Sequence, residues 1–318
     1  MAALVEEGIG VRMRPGSEQH KELFCRTFVQ THVRYEPQSL EWPQLAEKDL
    51  QVLRALPIWD TLWQVERNAG IMVSAFAKLQ PDPLVREALE VQGYEEDRHG
   101  RLIAEMVRRY DLPANSHEPE VVVTKQAFID FGCGECIDSF IGFGVFKLAR
   151  DAGFMPDALF AIFSRVLSEE ARHITFFVNW LAYEQARRAF WRRPAHALAA
   201  ARGYWHGVRN VVRNARAAAS GGPEAPVAGD EVFAGLTVSR VLESCLSENR
   251  RLMSSFDVRL LRPRLMPRVA RVALAFARAA ERLRGRHDRG DVKQVEEQYG
   301  GAGAEERAGE DLQEGVGS

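Results

Sequence analysis

The chain writes Glu-Glu-x-Arg-His twice, as EEDRH at 95–99 and as EEARH at 169–173. Both copies sit inside apolar patterns of helical period. In each, a glutamate and a histidine stand three residues apart, Glu96 with His99 and Glu170 with His173. Positions i and i+3 share a helix face. Both pairs therefore fall on an apolar stripe, where an unpaired charge is costly. Whatever fold this sequence adopts must bring compensating groups to those two points.

The helical period becomes clear from Pro57. It predicts helices over 59–78, 84–110, 125–151 and 156–193. QPDP at 80–83 separates the first two and Gly153 the last two, with Thr124 as an N-cap and Pro156 in a first turn. The first and third helices each carry one glutamate on the stripe, Glu66 and Glu135. Glu66 lies 15 residues before Pro81 and Glu96 lies 15 after it; Glu135 lies 18 before Gly153 and Glu170 lies 17 after it. Folded as antiparallel hairpins, each pair meets at one level. The link 112–124 reaches roughly 43–47 Å when extended, and the second helix is about 40 Å long. The link can therefore run back along the bundle, setting the second and third helices parallel and the two levels together. Six ligands then converge: Glu66, Glu96, His99, Glu135, Glu170 and His173. Four carboxylates offset two divalent cations, and hard oxygens with imidazole favour iron or manganese, zinc staying open.

One Glu from each of two helices plus Glu-x-x-His from each of the other two resembles the ferritin-like di-iron or di-manganese carboxylate family. The resemblance covers 57–190 and implies an all-α fold, a ferritin-like four-helix bundle with additional C-terminal helices. Within that family the two motifs look most like the soluble acyl-carrier-protein desaturases; related di-iron hydroxylases and N-oxygenases share the ligand frame. The resemblance implies that Glu95 and Glu169 accept from ligand histidines of the opposite hairpin, with Arg98 and Arg172 neutralising those outer acids. It also implies that Ser139, one turn after Glu135, stands near an oxygen pocket. The cofactor so implied is two iron ions, with manganese or a mixed iron–manganese pair as the alternative. The implied activity is O2-dependent hydroxylation, desaturation or N-oxygenation of a small-molecule or carrier-bound organic substrate, through a bridging peroxide or a high-valent product. The alternatives are a ferroxidase or other iron-handling protein, a di-manganese catalase, and a non-catalytic ferritin-like binding protein. A chain of 318 residues is long for a storage ferritin.

Several features qualify this reading. Gly132, Gly134, Gly142 and Gly144 crowd the third helix, each at about 1 kcal/mol against alanine; they are expected to leave space beside the metals. Asp138 departs from the greasy channel a long acyl chain needs, which weakens the desaturase assignment. Cys133 and Cys136 form a single CxxC, expected in core packing, so an external electron donor is required. Four cysteines are too few for a disulfide scaffold. The start MAALVEEGIG has no basic region and is not expected to be a signal peptide. The apolar stretch FIGFGVFKLA is too short to span a bilayer. A cytoplasmic protein is expected, and a homodimer is left open.

Net charge is −2, so the whole chain makes no electrostatic claim on nucleic acid. Residues 187–216 are different: Arg187, Arg188, Arg192, Arg193, Arg202, Arg209, Arg213 and Arg216 occur without any Asp or Glu, among Phe190, Trp191, Tyr204 and Trp205. This is a solvated helix face or a surface for an acidic partner, whether carrier protein, RNA or anionic membrane. His117, His196, His206 and His287 show no metal spacing and are expected at the surface. The expected organisation is a lead-in over 1–56 with one or two short helices, the bundle over 57–193, and a helical extension over 194–285. The extension comprises helices near 196–218, 231–256 and 264–285, the first two separated by SGGPEAPVAG at 220–229. A polar, Gly-rich tail over 286–318 is expected to be disordered.

Overall fold

Turn chemistry sets the ends of the long helices. α1 (Glu18–Gln30) and α2 (Glu47–Ala55) precede them. α3 (Trp59–Ala77) stops before Pro81, and α4 (Pro83–Tyr110) starts with Pro83 in its first turn. Asp82 caps α4, accepting from the Leu84 and Val85 amides at 3.0 and 3.2 Å, which satisfies donors the helix leaves open. Asp111 ends it in the left-handed region, at φ 51°. α5 (Lys125–Asp151) is capped by Thr124, whose hydroxyl accepts from the Ala127 amide at 3.0 Å. Gly153, at φ 65°, turns the chain toward α6 (Asp157–Ala186). The helix expected over 156–193 thus ends at Ala186. A short 3-10 turn, Phe190–Arg192, follows, and α7 (Arg193–Ser220) begins there. Pro194 suits the start of α7: inside a continuous helix it would remove a hydrogen bond and clash with the preceding turn, whereas in a first turn it costs nothing.

α8 (Val238–Met253) and α9 (Leu265–Gly300) complete the chain. α9 continues past 285 into the stretch read as tail. The computed structural model describes residues 13–115, 118–220 and 237–300, and their side chains except at 212, 214–220 and 284–300. His117, the separator at 221–229 and residues 301–318 lie outside the described residues, as does the side chain of His287. The fold is all-helical, with no strand among the described residues. It forms two compact units, Met1–Arg268 and Val269–Ser318.

Two apolar clusters define the bundle's ends. One joins Phe76 and Ala77 of α3, Val85 and Leu89 of α4, Phe128 of α5, and Phe177 and Trp180 of α6. Phe76 stacks on Phe128 at 4.5 Å, and Trp180 meets Phe128 edge-on at 4.9 Å; such pairs add about 0.5–1.5 kcal/mol each beyond their burial. The other cluster joins Trp59 of α3, Leu102 and Met106 of α4, and Leu159 and Ile162 of α6. Each hairpin is therefore antiparallel, while α4 runs parallel to α5. The link between them does run the length of the bundle: Leu112 sits in the second cluster, and Val121 and Val123 pack on the first. The waist between the clusters holds Glu66, Glu96 and Glu170.

Close backbone approach tightens α3 against α4. A Cβ on Gly70 would come within 2.8 Å of the Asp97 amide nitrogen, and one on Gly93 would strike Ser74. These glycines flank Glu66 and Glu96 by about one turn and bring the two helices together at that level. α5 has little amphipathic character because it is covered on several sides, by α6, α7 and α8. α1 lies over α4 and α6, pinned by the Lys21–Asp82 ion pair at 2.5 Å.

Candidate metal centre

At the waist, α4 and α6 present their Glu-x-x-His pairs to each other. His99 Nδ1 lies 3.0 Å from Glu170 Oε1, 3.5 Å from Glu66 Oε2 and 3.8 Å from Glu96 Oε2. His173 Nδ1 lies 3.1 Å from Glu96 Oε1 and 3.4 Å from Glu170 Oε2. Glu96 and Glu170 each approach both histidines. Gln92, one turn before Glu96, donates to its Oε1 at 3.1 Å. One ligand atom from each of Glu66, Glu96, His99 and Glu170 lies within 4.8 Å of every other. This group could hold a metal ion. Its donor atoms fit one: Nδ1 of both histidines and Oε2 of Glu170 are buried without a hydrogen-bond partner, a state that is costly unless something positive meets those lone pairs.

A second, outer layer of charge orients the histidines. His99 Nε2 is 2.7 Å from Glu169 Oε2, and His173 Nε2 is 2.9 Å from Glu95 Oε2. Each pair crosses from one hairpin to the other. Arg98 donates to Glu169 at 2.6 Å and Arg172 to Glu95 at 2.9 Å. The two halves have the same pattern, which is why the sequence repeats EExRH. Burial alone would drive Glu95 toward its neutral form, but His173, Arg172 and His32 hold it below the usual carboxylate range. Glu170 is likewise lowered: burial raises it, and the nearby charges of His173 and His99 overcome that. Burial opposes charge on both histidines, yet the carboxylates around them raise both well above the ordinary range.

The lead-in supplies residues that the spacing of the motifs did not reveal. His32 Nδ1 is 2.5 Å from Glu95 Oε1, and the Tyr35 hydroxyl donates to Glu169 Oε2 at 3.2 Å. Arg98 also donates to the Val33 carbonyl at 2.8 Å and Arg172 to the Phe28 carbonyl at 2.9 Å. Arg98 stacks on the Tyr35 ring, 3.9 Å from its centroid. Residues 28–35 thus close the outer layer as a strap.

No family model, curated protein or solved structure matches this chain. The geometry therefore stands by itself. It brings together Glu66, Glu96, His99, Glu170 and His173, with Glu95, Glu169, Arg98 and Arg172 around them. Glu135 faces the same cluster from α5 but forms no hydrogen bond or ion pair among the described residues. Burial, then the charges of Glu170, Glu96, Glu66 and Asp138, push its carboxyl well above the usual range. Glu66, 21% exposed at its side chain, is pushed up to about 7, by burial first.

Ser139 is buried and its hydroxyl has no partner among the described residues; Asp138 beside it is exposed. The glycines of α5 divide. Gly132 lies against the Phe177 ring and Gly144 against Cys245, whereas a Cβ on Gly134 or Gly142 would meet nothing within 4 Å. Cys133 and Cys136 are free and buried; a Cβ on Gly203 of α7 would come within 3.0 Å of the Cys133 sulfur. His206 is exposed. His196 is not at the surface as expected: it is 5% exposed. It shares the inward face of α7 with Gly203 and Gly207, seven and eleven residues on.

Proposed function

We propose that this protein is a ferritin-like di-iron oxidase or oxygenase that uses O2 to oxidise a small-molecule or carrier-bound organic substrate, by hydroxylation, desaturation or N-oxygenation. One observation carries the reading: two histidines, one from each hairpin, turn Nδ1 toward shared carboxylates while an acid of the other hairpin holds Nε2. A carboxylate on Nε2 fixes the tautomer that leaves Nδ1 free to donate to a metal, and raises its basicity. Salt bridges alone would not require unpartnered Nδ1 atoms on both rings.

Glu66, Glu96, His99, Glu135, Glu170 and His173 would hold two ions. Glu96 and Glu170, each near both histidines, would serve both ions, and Glu66 and Glu135 would complete the set from α3 and α5. Four carboxylates balance two divalent cations, and the donor set favours iron, with manganese or a mixed pair as the alternative. When bound, such a centre supplies the electrons for O2 reduction. The chain's own contribution is position and exclusion of water. The outer acids and arginines keep both imidazoles in one orientation. The two apolar clusters shield the waist from above and below. Substrate approaches from the α3–α5 side, beside Glu66, Glu135, Ser139 and Gly142, because α1 and the strap cover α4 and α6. Cys133 and Cys136 are packed against α7, so an external donor delivers the reducing electrons.

The test is anaerobic loading with Fe(II), a count of metal per chain, and then admission of O2. Two irons per chain and O2 uptake that stops after a stoichiometric amount without added reductant support the oxygenase. Continued oxidation of many irons per chain indicates iron handling. Disproportionation of peroxide by the manganese form indicates a catalase. A protein that takes up no metal is a binding protein on this scaffold.

A further inference from the structure

The Arg-rich segment is not absorbed by the metal site. The face of α7 toward α5 is marked by His196, Gly203 and Gly207, all buried. A Cβ on Gly207 would come within 2.7 Å of Ile137, so this face approaches α5 closely. The opposite face must look outward. It carries Leu198, Trp205 and Val208 at spacings of seven and three, with Leu198 71% and Trp205 62% exposed. Arg202, Arg209 and Arg213 line the adjoining row and are exposed. In the turn just before α7, Phe190 is 80% and Trp191 74% exposed. No Asp or Glu occurs between Glu184 and Glu224. Arg202 pairs with Asp130 at 3.4 Å, but Arg192, Arg209 and Arg213 have no ion pair among the described residues.

We infer that the outward face of α7, with the turn Phe190–Arg192, docks on an anionic lipid membrane. A row of arginines beside a row of large apolar and aromatic side chains is the make-up of helices that lie in a bilayer interface. Indole and phenyl rings settle at the level of the headgroups, and guanidinium groups pair with lipid phosphates in a forked geometry. Acidic groups alone would match the arginines but not the exposed apolar row of Phe190, Trp191, Leu198 and Trp205, which a bilayer interface accommodates. The contact is peripheral: no described helix is long and apolar enough to cross a membrane.

The experiment is co-sedimentation of the full chain with phosphatidylcholine vesicles, with and without a minority of phosphatidylglycerol. Binding is expected only with the anionic lipid, and added salt weakens it. Each arginine near the surface contributes about fivefold in partition, so Arg209→Gln with Arg213→Gln loses about 25-fold. Trp191→Ala with Trp205→Ala also loses binding. Both double variants retain wild-type helical circular dichroism and metal content, since none of these residues supports the fold's interior. Soluble polyglutamate is the competing probe. The inference is overturned by equal binding to neutral and anionic vesicles, by no binding to either, by binding that both variants retain, or by tight polyglutamate binding without vesicle binding.

Discussion

The two sides of the waist are built differently. On the α4–α6 side, every inner group is tied down: Glu96 by Gln92 and His173, Glu170 by both histidines, and each histidine by an outer acid with its own arginine. On the α3–α5 side, Glu66 reaches one histidine at 3.5 Å and is partly exposed, and Glu135 has no described partner. The electrostatics follow the same division. Carboxylates with several cationic neighbours are lowered (Glu95, Glu170), whereas Glu66, which has His99 alone, and Glu135, which has none among the described residues, are raised. On the proposed function, the tied side is a preorganised socket and the loose side is where a reactant would enter. A site that must hold its metals and still admit a reactant benefits from this asymmetry.

The sharpest way to break the comparison is to remove one carboxylate from each side. Glu170→Ala takes away one of the two carboxylates shared by both histidines. It should weaken metal binding by more than the roughly 10–100-fold that an outer partner is worth. Glu135→Ala should keep the ion among Glu66, Glu96, His99 and Glu170. Elemental analysis after equilibrium dialysis distinguishes them. Equal losses from both variants would erase the distinction between socket and loose side.

Metal uptake should also depend steeply on pH. In the metal-free protein His99 and His173 keep their protons well above the usual range, Glu135 does so as a carboxylic acid, and Glu66 titrates at about 7. Metal must displace those protons. Affinity therefore rises with pH, by about tenfold per unit for each proton displaced. Calorimetry in buffers of different ionisation enthalpy counts the protons released. Glu66→Gln removes the carboxyl that titrates near 7 and flattens the profile there, whereas Glu170→Gln, whose parent is already ionised, releases no fewer protons through its own group.

Losing an outer acid is a smaller change. Glu95→Gln and Glu169→Gln leave every ligand in place but take the charge from behind one imidazole, and each should cost about 10–100-fold in metal affinity. The near-symmetry of the halves predicts similar losses. Isothermal titration with Mn(II), which avoids oxidation, measures both. A large difference between the two would show that the strap's contributions, His32 on Glu95 and Tyr35 on Glu169, are unequal.

What was legible in the sequence follows from what spacing can encode. The i, i+3 pairs and the levels of Glu66, Glu96, Glu135 and Glu170 depend only on helix rise and on where Pro81 and Gly153 interrupt the pattern. α3, α4 and α5 therefore came out nearly residue for residue. His32 and Tyr35 lie between α1 and α2, where no periodicity exists to mark them; only tertiary contact brings them to the site. A signal was nonetheless present. Two buried carboxylates offer more acceptor positions than one histidine and one arginine fill, so further donors were owed to each. The helical pattern runs on past Ala186 to Pro194, yet α6 ends at Ala186 and a 3-10 turn intervenes, a break that periodicity does not mark. His196 carries no metal spacing, but with Gly203 and Gly207 it marks a buried stripe that those two glycines hide from a hydrophobic pattern.

The glycines of α5 separate the two sides by stability alone, with the smallest effect. Gly132 is filled by the Phe177 ring of the tied side, and the ring carbons nearest to it have no free end to swing away. Gly132→Ala should therefore destabilise by about 1–3 kcal/mol through overpacking. Gly142, two turns beyond Glu135 on the same face, has nothing within 4 Å of where a Cβ would stand. Gly142→Ala meets no clash and gains helix propensity, so it should stabilise by about 0.5–1 kcal/mol. Urea denaturation of the metal-free proteins reads both values. The opposite signs are the point: one helix, one substitution, and an outcome decided by whether the side facing it is packed or open. If Gly142→Ala were as costly as Gly132→Ala, the space beside Glu135 would be closed, and the route for a reactant along α5 would be lost with it.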